Sequence, residues 1–213
     1  YGGGEAERHL GLGLKELARL ERARLLISTK VGTHPQRPHR YDADSTLWSV
    51  DQSLRVLFSD VVNIVYVHDP LTDAQMDNIM GKGGAVEALE HLKEQGVIHA
   101  IGLGVRNHRF LRRAIESGRF DAILTPYDYT PIRASARPVI ALAVERGLGV
   151  VNGSPYDAGL LAGLHPDVAS GRRTAPSEAD LERARALWSW CEARQVERSP
   201  IDRTSTKSPE GSG

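Results

Sequence analysis

Val61-Val62-Asn63-Ile64-Val65-Tyr66-Val67-His68, residues 85–95, and Val97-Ile98-His99-Ala100-Ile101-Gly102-Leu103-Gly104-Val105 decide the fold. The outer two stretches are apolar and rich in β-branched residues, as buried strands are. The segment between them reads as a helix closed by Gly96 as its C-cap. Strand, helix and strand in that order make a βαβ unit and call for a parallel sheet. Runs this apolar imply burial on both faces.

The same alternation extends outward. Upstream, residues 5–22 read as one amphipathic helix, with Leu10, Leu14, Leu17 and Leu20 near one face. Residues 25–31 read as a strand, and Gly32 to Tyr41 as a polar loop. A helix starts near Asp44, with Leu47, Val50, Leu54 and Leu57 stepping by three or four. Asp69 to Gly84, with its Pro, Asp and Gly cluster, reads as loop. Downstream, Asn107 suits the N-cap of a helix to about Ser117. Strands follow at 120–125 and 148–153, with a helix over 134–146 ended by Gly147 between them. Ser177 suits the cap of a helix over 177–194. Arg198 to Gly213 holds Ser, Thr, Pro and charge, the composition of a disordered tail. The expected division is therefore 1–196 as one partial barrel domain and 197–213 as a disordered polar tail.

Two architectures fit this order: an open doubly wound sheet or a (β/α)8 TIM barrel. A barrel needs eight strands, and five strand–helix units would leave it incomplete.

Composition narrows the function. The 213 residues balance 27 Lys and Arg against 27 Asp and Glu, which argues against a broad nucleic-acid or anionic-membrane surface. Cys191 is the single cysteine, which excludes an internal disulfide and fits a reducing compartment, so a cytoplasmic location is expected. No apolar run approaches the ~20 residues of a membrane span. The chain opens Tyr-Gly-Gly-Gly without Met, and a fragment is the expectation.

In parallel α/β folds ligands meet the C-terminal ends of the strands. Lys30 ends the first strand, where partial burial lowers an amine pKa. It could activate a neighbouring acid or form a Schiff base, against the plain alternative of a lysine snorkelling to solvent. His68 ends the second strand as an acid, a base or a substrate donor, or else as a hydrogen-bonded strand-end histidine. Both at consecutive strand ends strengthen the catalytic reading. Asn107 reads first as a helix cap and second as a ligand contact. Ser154-Pro155 could offer backbone N–H groups to a phosphate, or be a plain loop. Gly102-x-Gly104 lacks the third glycine of a dinucleotide fingerprint. His34, His39, His91, His99 and His108 show no metal-ligand spacing, so no metal site is expected.

Taken together, the strand ends resemble the aldo-keto reductases. Tyr1-Gly2 is similar to the end of that family's Asp-Thr-Ala-x-x-Tyr-Gly segment. Ser28-Thr29-Lys30-Val31-Gly32 is similar to its Ser-Thr-Lys stretch, at the expected interval from Tyr1. Val65-Tyr66-Val67-His68-Asp69-Pro70 resembles the strand that carries its histidine. Ala85 to Leu89, continuing through Gly96 to Gly102, resembles a further family helix and strand. The run from Gly153 to Gly163 looks most like the branch that oxidises aldoses to lactones and its sugar and pyridoxal dehydrogenase relatives.

The resemblance implies a (β/α)8 barrel, here about strands three to seven, and an NAD(P)-dependent oxidoreductase acting on a small carbonyl or sugar substrate. It implies Tyr1 as general acid/base, Lys30 as the charge that depresses its pKa, and His68 as the group orienting the substrate oxygen. The cofactor would be NADP or NAD. Asn107 would hold its carboxamide, and Ser154 would lie near the pyrophosphate. Gly153 and Gly159 lie in the same segment, Gly153 where many members carry a stacking aromatic. The family's aspartate that pairs with the lysine would precede Tyr1. Two other readings stand beside this one: a truncated, inactive relative acting as a binding protein, and an unrelated barrel enzyme with Lys30 as Schiff base.

Overall fold

The computed structural model describes residues 5–162, 165–167 and 176–196. Contacts divide the chain into two compact units: Tyr1–Leu124 with Val139–Val151, and Thr125–Pro138 with Asn152–Gly213. In chain order the elements are α1 (Glu5–Glu16), α2 (Arg19–Arg22), β1 (Ser28–Val31), β2 (Thr33–His34), β3 (Arg37–Pro38), α3 (Ala43–Leu57), β4 (Val62–His68), α4 (Asp73–Met80), α5 (Ala85–Glu94), β5 (Ile98–Gly104), α6 (His108–Ser117), β6 (Ala122–Pro126), α7 (Arg137–Glu145), β7 (Gly149–Gly153) and α8 (Glu178–Ala193).

One five-stranded sheet runs in the order β1-β4-β5-β6-β7, and β2 and β3 form a small antiparallel hairpin. The pairings of β1 with β4, β4 with β5 and β5 with β6 are parallel. This is the expected incomplete (β/α)8 arrangement, strands linked through helices. Register and the two-residue period of a strand sort the side chains onto two faces. Val31, Val65, Val67, Ile101, Leu103 and Ile123 share one face and are all buried. Beneath the helices, Val86, Leu89, Phe110, Leu111 and Ile115 are buried as well. Each such side chain contributes about 1.5–3 kcal/mol, which makes this layer the principal core. Lys30, Tyr66, His68, Gly102 and Gly104 share the opposite face, in register Lys30–Tyr66–Gly102 and His68–Gly104.

Several boundaries differ from the sequence reading. The helix expected over 5–22 breaks into α1 and α2, and of its four leucines only Leu14 is buried, while Leu20 is 81% exposed. The packed face is instead Glu7, Gly11 and Leu14, and it meets α3. The strand expected over 25–31 shortens to β1, and Leu26 is 83% exposed. The stretch expected to be loop from Asp69 to Gly84 contains α4. Its start is a capping box: Thr72 Oγ1 accepts from the Gln75 N–H, and Gln75 Oε1 accepts from the Thr72 N–H. Thr72-Asp73-Ala74-Gln75 carries that signature in the sequence. On α3 the buried stripe is Ser45, Ser49 and Ser53 as much as Val50 and Leu57. Polar residues took positions that an apolar-spacing argument overlooks. The expected caps hold: Asn107 for α6 and Ser177 for α8. The tail over 197–213 lies outside the described residues.

Candidate active site

Lys30 sits in β1 between Thr29 and Val31, which point into the helix layer, so its own side chain takes the other face. Burial lowers the Lys30 pKa, opposed by the negative charges of Glu7 and Asp69. His68 ends the neighbouring β4 on the same face, its side chain 14% exposed. Its Nδ1 lies 3.4 Å from Thr33 Oγ1 and 3.6 Å from Asp69 Oδ2. Burial lowers the imidazole pKa, Asp69 pulls it back up, and Lys30 lowers it further. The lysine and the histidine therefore feel each other's charge across two adjacent parallel strands. The lowered pKa favours the neutral imidazole.

Tyr41 braces this end of the sheet. Its hydroxyl donates to the His68 carbonyl oxygen at 2.9 Å, and its ring fills the space over Gly32, where an added Cβ would fall 2.1 Å from a ring carbon. Burial, and then the charge of Asp69, raises its pKa, so the phenol stays protonated and remains a donor. Tyr66 covers Gly102 in a similar way, its ring 2.3 Å from where a Cβ would stand.

A cavity of about 290 Å³ adjoins Lys30, lined among others by Glu7, Thr29, Thr33, Ser49 and Ser53. Inside it the Glu7 Oε1 accepts hydrogen bonds from the hydroxyls of Thr29 and Ser53, the latter at 2.8 Å.

Asn107 starts α6, and its Oδ1 accepts from the Arg109 N–H at 3.0 Å, so the capping role is present in the structure. In the second unit Gly153 ends β7, and its carbonyl accepts from the Tyr127 N–H at 3.1 Å. Ser154 has φ +52°, and Gly159 closes a single 3-10 turn over Asp157–Gly159. Arg133 pins this segment. It donates to the Tyr127 carbonyl at 2.8 Å, to Asp180 at 2.6 Å and to Asp157 at 3.4 Å. Ile132, Leu160 and Ala184 pack as a small core of the same unit.

The structure thus puts Lys30 and His68 on one face at adjacent strand ends. Tyr1 lies outside the described residues. Glu7, Tyr41 and Arg133 are absent from the sequence-derived set. The spacing of Glu7 with Gly11 and Leu14 (i, i+4, i+7) offered a signal for the first. Nothing local distinguishes Tyr41 or Arg133, whose partners are 27 and 47 residues away. Among the described residues no three His, Cys, Asp or Glu converge on a metal position, and no helix is long and apolar enough to cross a membrane.

Comparison with known proteins bears on the family and the fold. The sequence profile of the aldo/keto reductase family matches residues 1–200. A D-threo-aldose 1-dehydrogenase from a Pseudomonas species is 30% identical over 190 residues, covering 78% of this chain and 56% of its own length. The L-galactose dehydrogenase of Arabidopsis thaliana is 29% identical, covering 78% and 51%. The pyridoxal 4-dehydrogenase of Microbacterium luteolum is 30% identical, covering 76% and 56%. The chain spans about half the length of these relatives. Among solved structures, an aldo-keto reductase from Bacillus halodurans in its holo form superposes with a TM-score of 0.63 at 23% identity, over 93% of this chain and 68% of that one. A Pseudomonas aeruginosa structure described as an aldo-keto reductase superposes with a TM-score of 0.58 at 28% identity, over 70% and 55%. The chain belongs to the aldo-keto reductase family.

Proposed function

We propose that this chain carries part of the active site of an NAD(P)-dependent oxidoreductase that interconverts a sugar, or another small alcohol, and its carbonyl form. The observation that carries the reading is Lys30 and His68 side by side at the ends of β1 and β4, each with its pKa lowered by burial. The relatives named as aldose, galactose and pyridoxal dehydrogenases favour an aldose 1-dehydrogenase-like substrate.

The residues present fit a nicotinamide dinucleotide by the chemistry of their donors. The Asn107 side chain has an amide to match a carboxamide. Residues 154–159 fold into tight turns with left-handed φ at Ser154, Asp157, Ala158 and Gly159, the kind of backbone that presents N–H groups to phosphate. When bound, the nicotinamide supplies the hydride donor or acceptor. In this reading Asn107 holds the carboxamide, Ser154 lies near the pyrophosphate, and Gly153, where many relatives carry an aromatic, and Gly159 are further cofactor-binding positions. His68, its neutral form favoured, orients the substrate oxygen. Tyr1 exchanges a proton with that oxygen, and Lys30 stabilises the tyrosinate left behind.

The test is a pair of measurements on the same protein. NADPH or NADH should quench the fluorescence of Trp48, Trp188 or Trp190, and sugar- or aldehyde-dependent change in 340 nm absorbance should follow. Lys30→Met and His68→Ala should each lower turnover at least about a hundredfold while leaving quenching in place. Quenching without turnover in the wild type would favour the binding-protein alternative. Absence of both would overturn the proposal. Borohydride trapping of a carbonyl compound on Lys30 would point instead to Schiff-base chemistry.

A further inference from the structure

We infer that Arg133 is a positioning residue for the cofactor. From the loop between β6 and α7, its guanidinium ties the Tyr127 carbonyl and the Asp157 carboxylate to Asp180 at the start of α8. This holds the turn over residues 154–159 in the shape that receives the pyrophosphate. The cofactor part of the inference rests on the oxidoreductase reading above.

Arg133 stands at the end of a short reversal: its N–H donates to the Thr130 carbonyl at 3.2 Å, and its own carbonyl accepts from the Thr130 N–H at 2.7 Å. The side chain is 17% exposed, and the carboxylates of Asp157 and Asp180 that it meets are each 11% exposed. Nη1 donates to the Tyr127 carbonyl at 2.8 Å, and Nη2 donates to Asp180 Oδ2 at 2.6 Å and Asp157 Oδ2 at 3.4 Å. A guanidinium is planar and its donors point in fixed directions, so partners from three segments are set relative to one another. The α8 end of this clamp is itself fixed. The Ser177 hydroxyl donates to Asp180 Oδ2 at 2.7 Å, and Arg183 donates to Oδ1 at 3.3 Å. The loop end is therefore what the guanidinium restrains.

The backbone at that end needs a restraint. Tyr127 has φ +65°, Ser154 +52°, Asp157 +47° and Ala158 +52°, and none of these is a glycine. A residue with a Cβ stays left-handed only where its surroundings over-determine it. Arg133 bonds directly to two of the four, the Tyr127 carbonyl and the Asp157 carboxylate. Both pass the restraint on: the Tyr127 N–H donates to the Gly153 carbonyl at 3.1 Å, and the Asp157 N–H donates to the Ser154 carbonyl at 3.0 Å. Meanwhile Ser154, Pro155 and Tyr156 are exposed. The clamp grips the root of the turn and leaves its outer edge to a ligand.

The test uses the full chain and two readouts. The first is hydrogen exchange by mass spectrometry without cofactor. Asp157→Asn removes the charge at the loop end and leaves the Asp180 and Tyr127 bonds in place. It should speed exchange over residues 153–162 about three- to tenfold and leave α8 at its wild-type rate. The second is NADPH affinity from quenching of tryptophan fluorescence. Asp157→Asn should weaken it about three- to tenfold, and Asp157→Glu, which keeps the charge, should recover part of the loss. Arg133→Met should weaken it at least as much, and adding Asp157→Asn to Arg133→Met should weaken it no further. Arg185→Met removes bonds to Asp167 and Glu178 from α8 without touching the clamp. It is the control for stability alone and should leave affinity unchanged. Wild-type affinity in Asp157→Asn, simple additivity in the pair, or an equal loss in Arg185→Met overturns the inference. If Arg133→Met does not fold, Asp157→Asn decides alone. A wild type that binds no NADPH refutes the oxidoreductase reading and the cofactor role with it, and the exchange readout then still decides whether Arg133 holds the turn.

Discussion

The Tyr41 hydroxyl reaches across the end of the sheet to the backbone carbonyl of His68, 2.9 Å away, while its ring occupies the volume a side chain at Gly32 would need. One buried phenol thereby ties the exit of β1 to the exit of β4, the two strands that carry Lys30 and His68. Tyr41→Phe removes this donor to the part-buried carbonyl. It should cost about 0.5–1.5 kcal/mol of folding free energy, read from urea unfolding. Gly32→Ala must also overcome φ +96° and a ring carbon 2.1 Å from the new Cβ. It should cost more than Tyr41→Phe, and an equal or smaller loss would show that the ring moves aside.

Gly102→Ala should destabilise by about 1–3 kcal/mol because the new methyl meets the Tyr66 ring. Tyr66→Leu, made together with Gly102→Ala, should recover part of that loss. A double-mutant cycle showing simple additivity would refute the contact as the cause.

Asn107 separates two roles by substitution. Asn107→Asp keeps the oxygen that accepts from the Arg109 N–H, removes the amide donor and adds a negative charge at the start of α6. Thermal stability should hold, while nicotinamide affinity should fall by about tenfold, the worth of one hydrogen bond. Asn107→Ala should lose about 1 kcal/mol of stability as well, since the cap goes too. Unchanged affinity in Asn107→Asp would confine the residue to capping.

Asp42 caps α3 and has its pKa lowered to about 2, burial opposing and hydrogen bonds from Ser45 and Arg40 outweighing it. A carboxylate whose folded pKa lies below its unfolded value stabilises above the unfolded value and loses that contribution as pH falls through the folded one. Asp42→Ala should therefore cost about 1 kcal/mol at pH 7. The gap to wild type should narrow between pH 4 and pH 2. Guanidinium unfolding at both ends of that range reads it, and a gap independent of pH would contradict the charged-cap account.

His68 gives a test of the same sign in a higher pH range. Its folded pKa lies below the ordinary histidine value, so the unfolded chain binds the extra proton first. Stability should fall as pH drops through about 6.5 and stop falling once the folded imidazole is also protonated. His68→Gln should flatten that part of the stability–pH profile. An identical slope in the variant would assign the effect to another group.

The alternation of strands and helices, the βαβ unit around residues 61–105, and the caps at Asn107 and Ser177 were determined by the sequence alone. These rest on local rules: the period of apolar residues, the short polar side chain before a helix, the glycine after it. The candidate pair Lys30 and His68 was legible for the same reason, since each is the polar residue that ends an apolar strand. The α4 helix was equally local, its capping box written at Thr72 and Gln75 inside a stretch whose Pro and Gly residues masked it.

Tertiary structure alone decided which leucines of the first helix are buried, because a face acquires a meaning only when α3 lies against it. It decided that Tyr41 braces His68 from 27 residues away and that Arg133 joins Asp180 from 47. It also brought the carboxylate of Glu7 to the hydroxyls of Thr29 and Ser53. No periodicity encodes these partners. They are chosen by strand register and helix packing, which bring distant residues within a few ångströms and set the burial that gives each charge its strength.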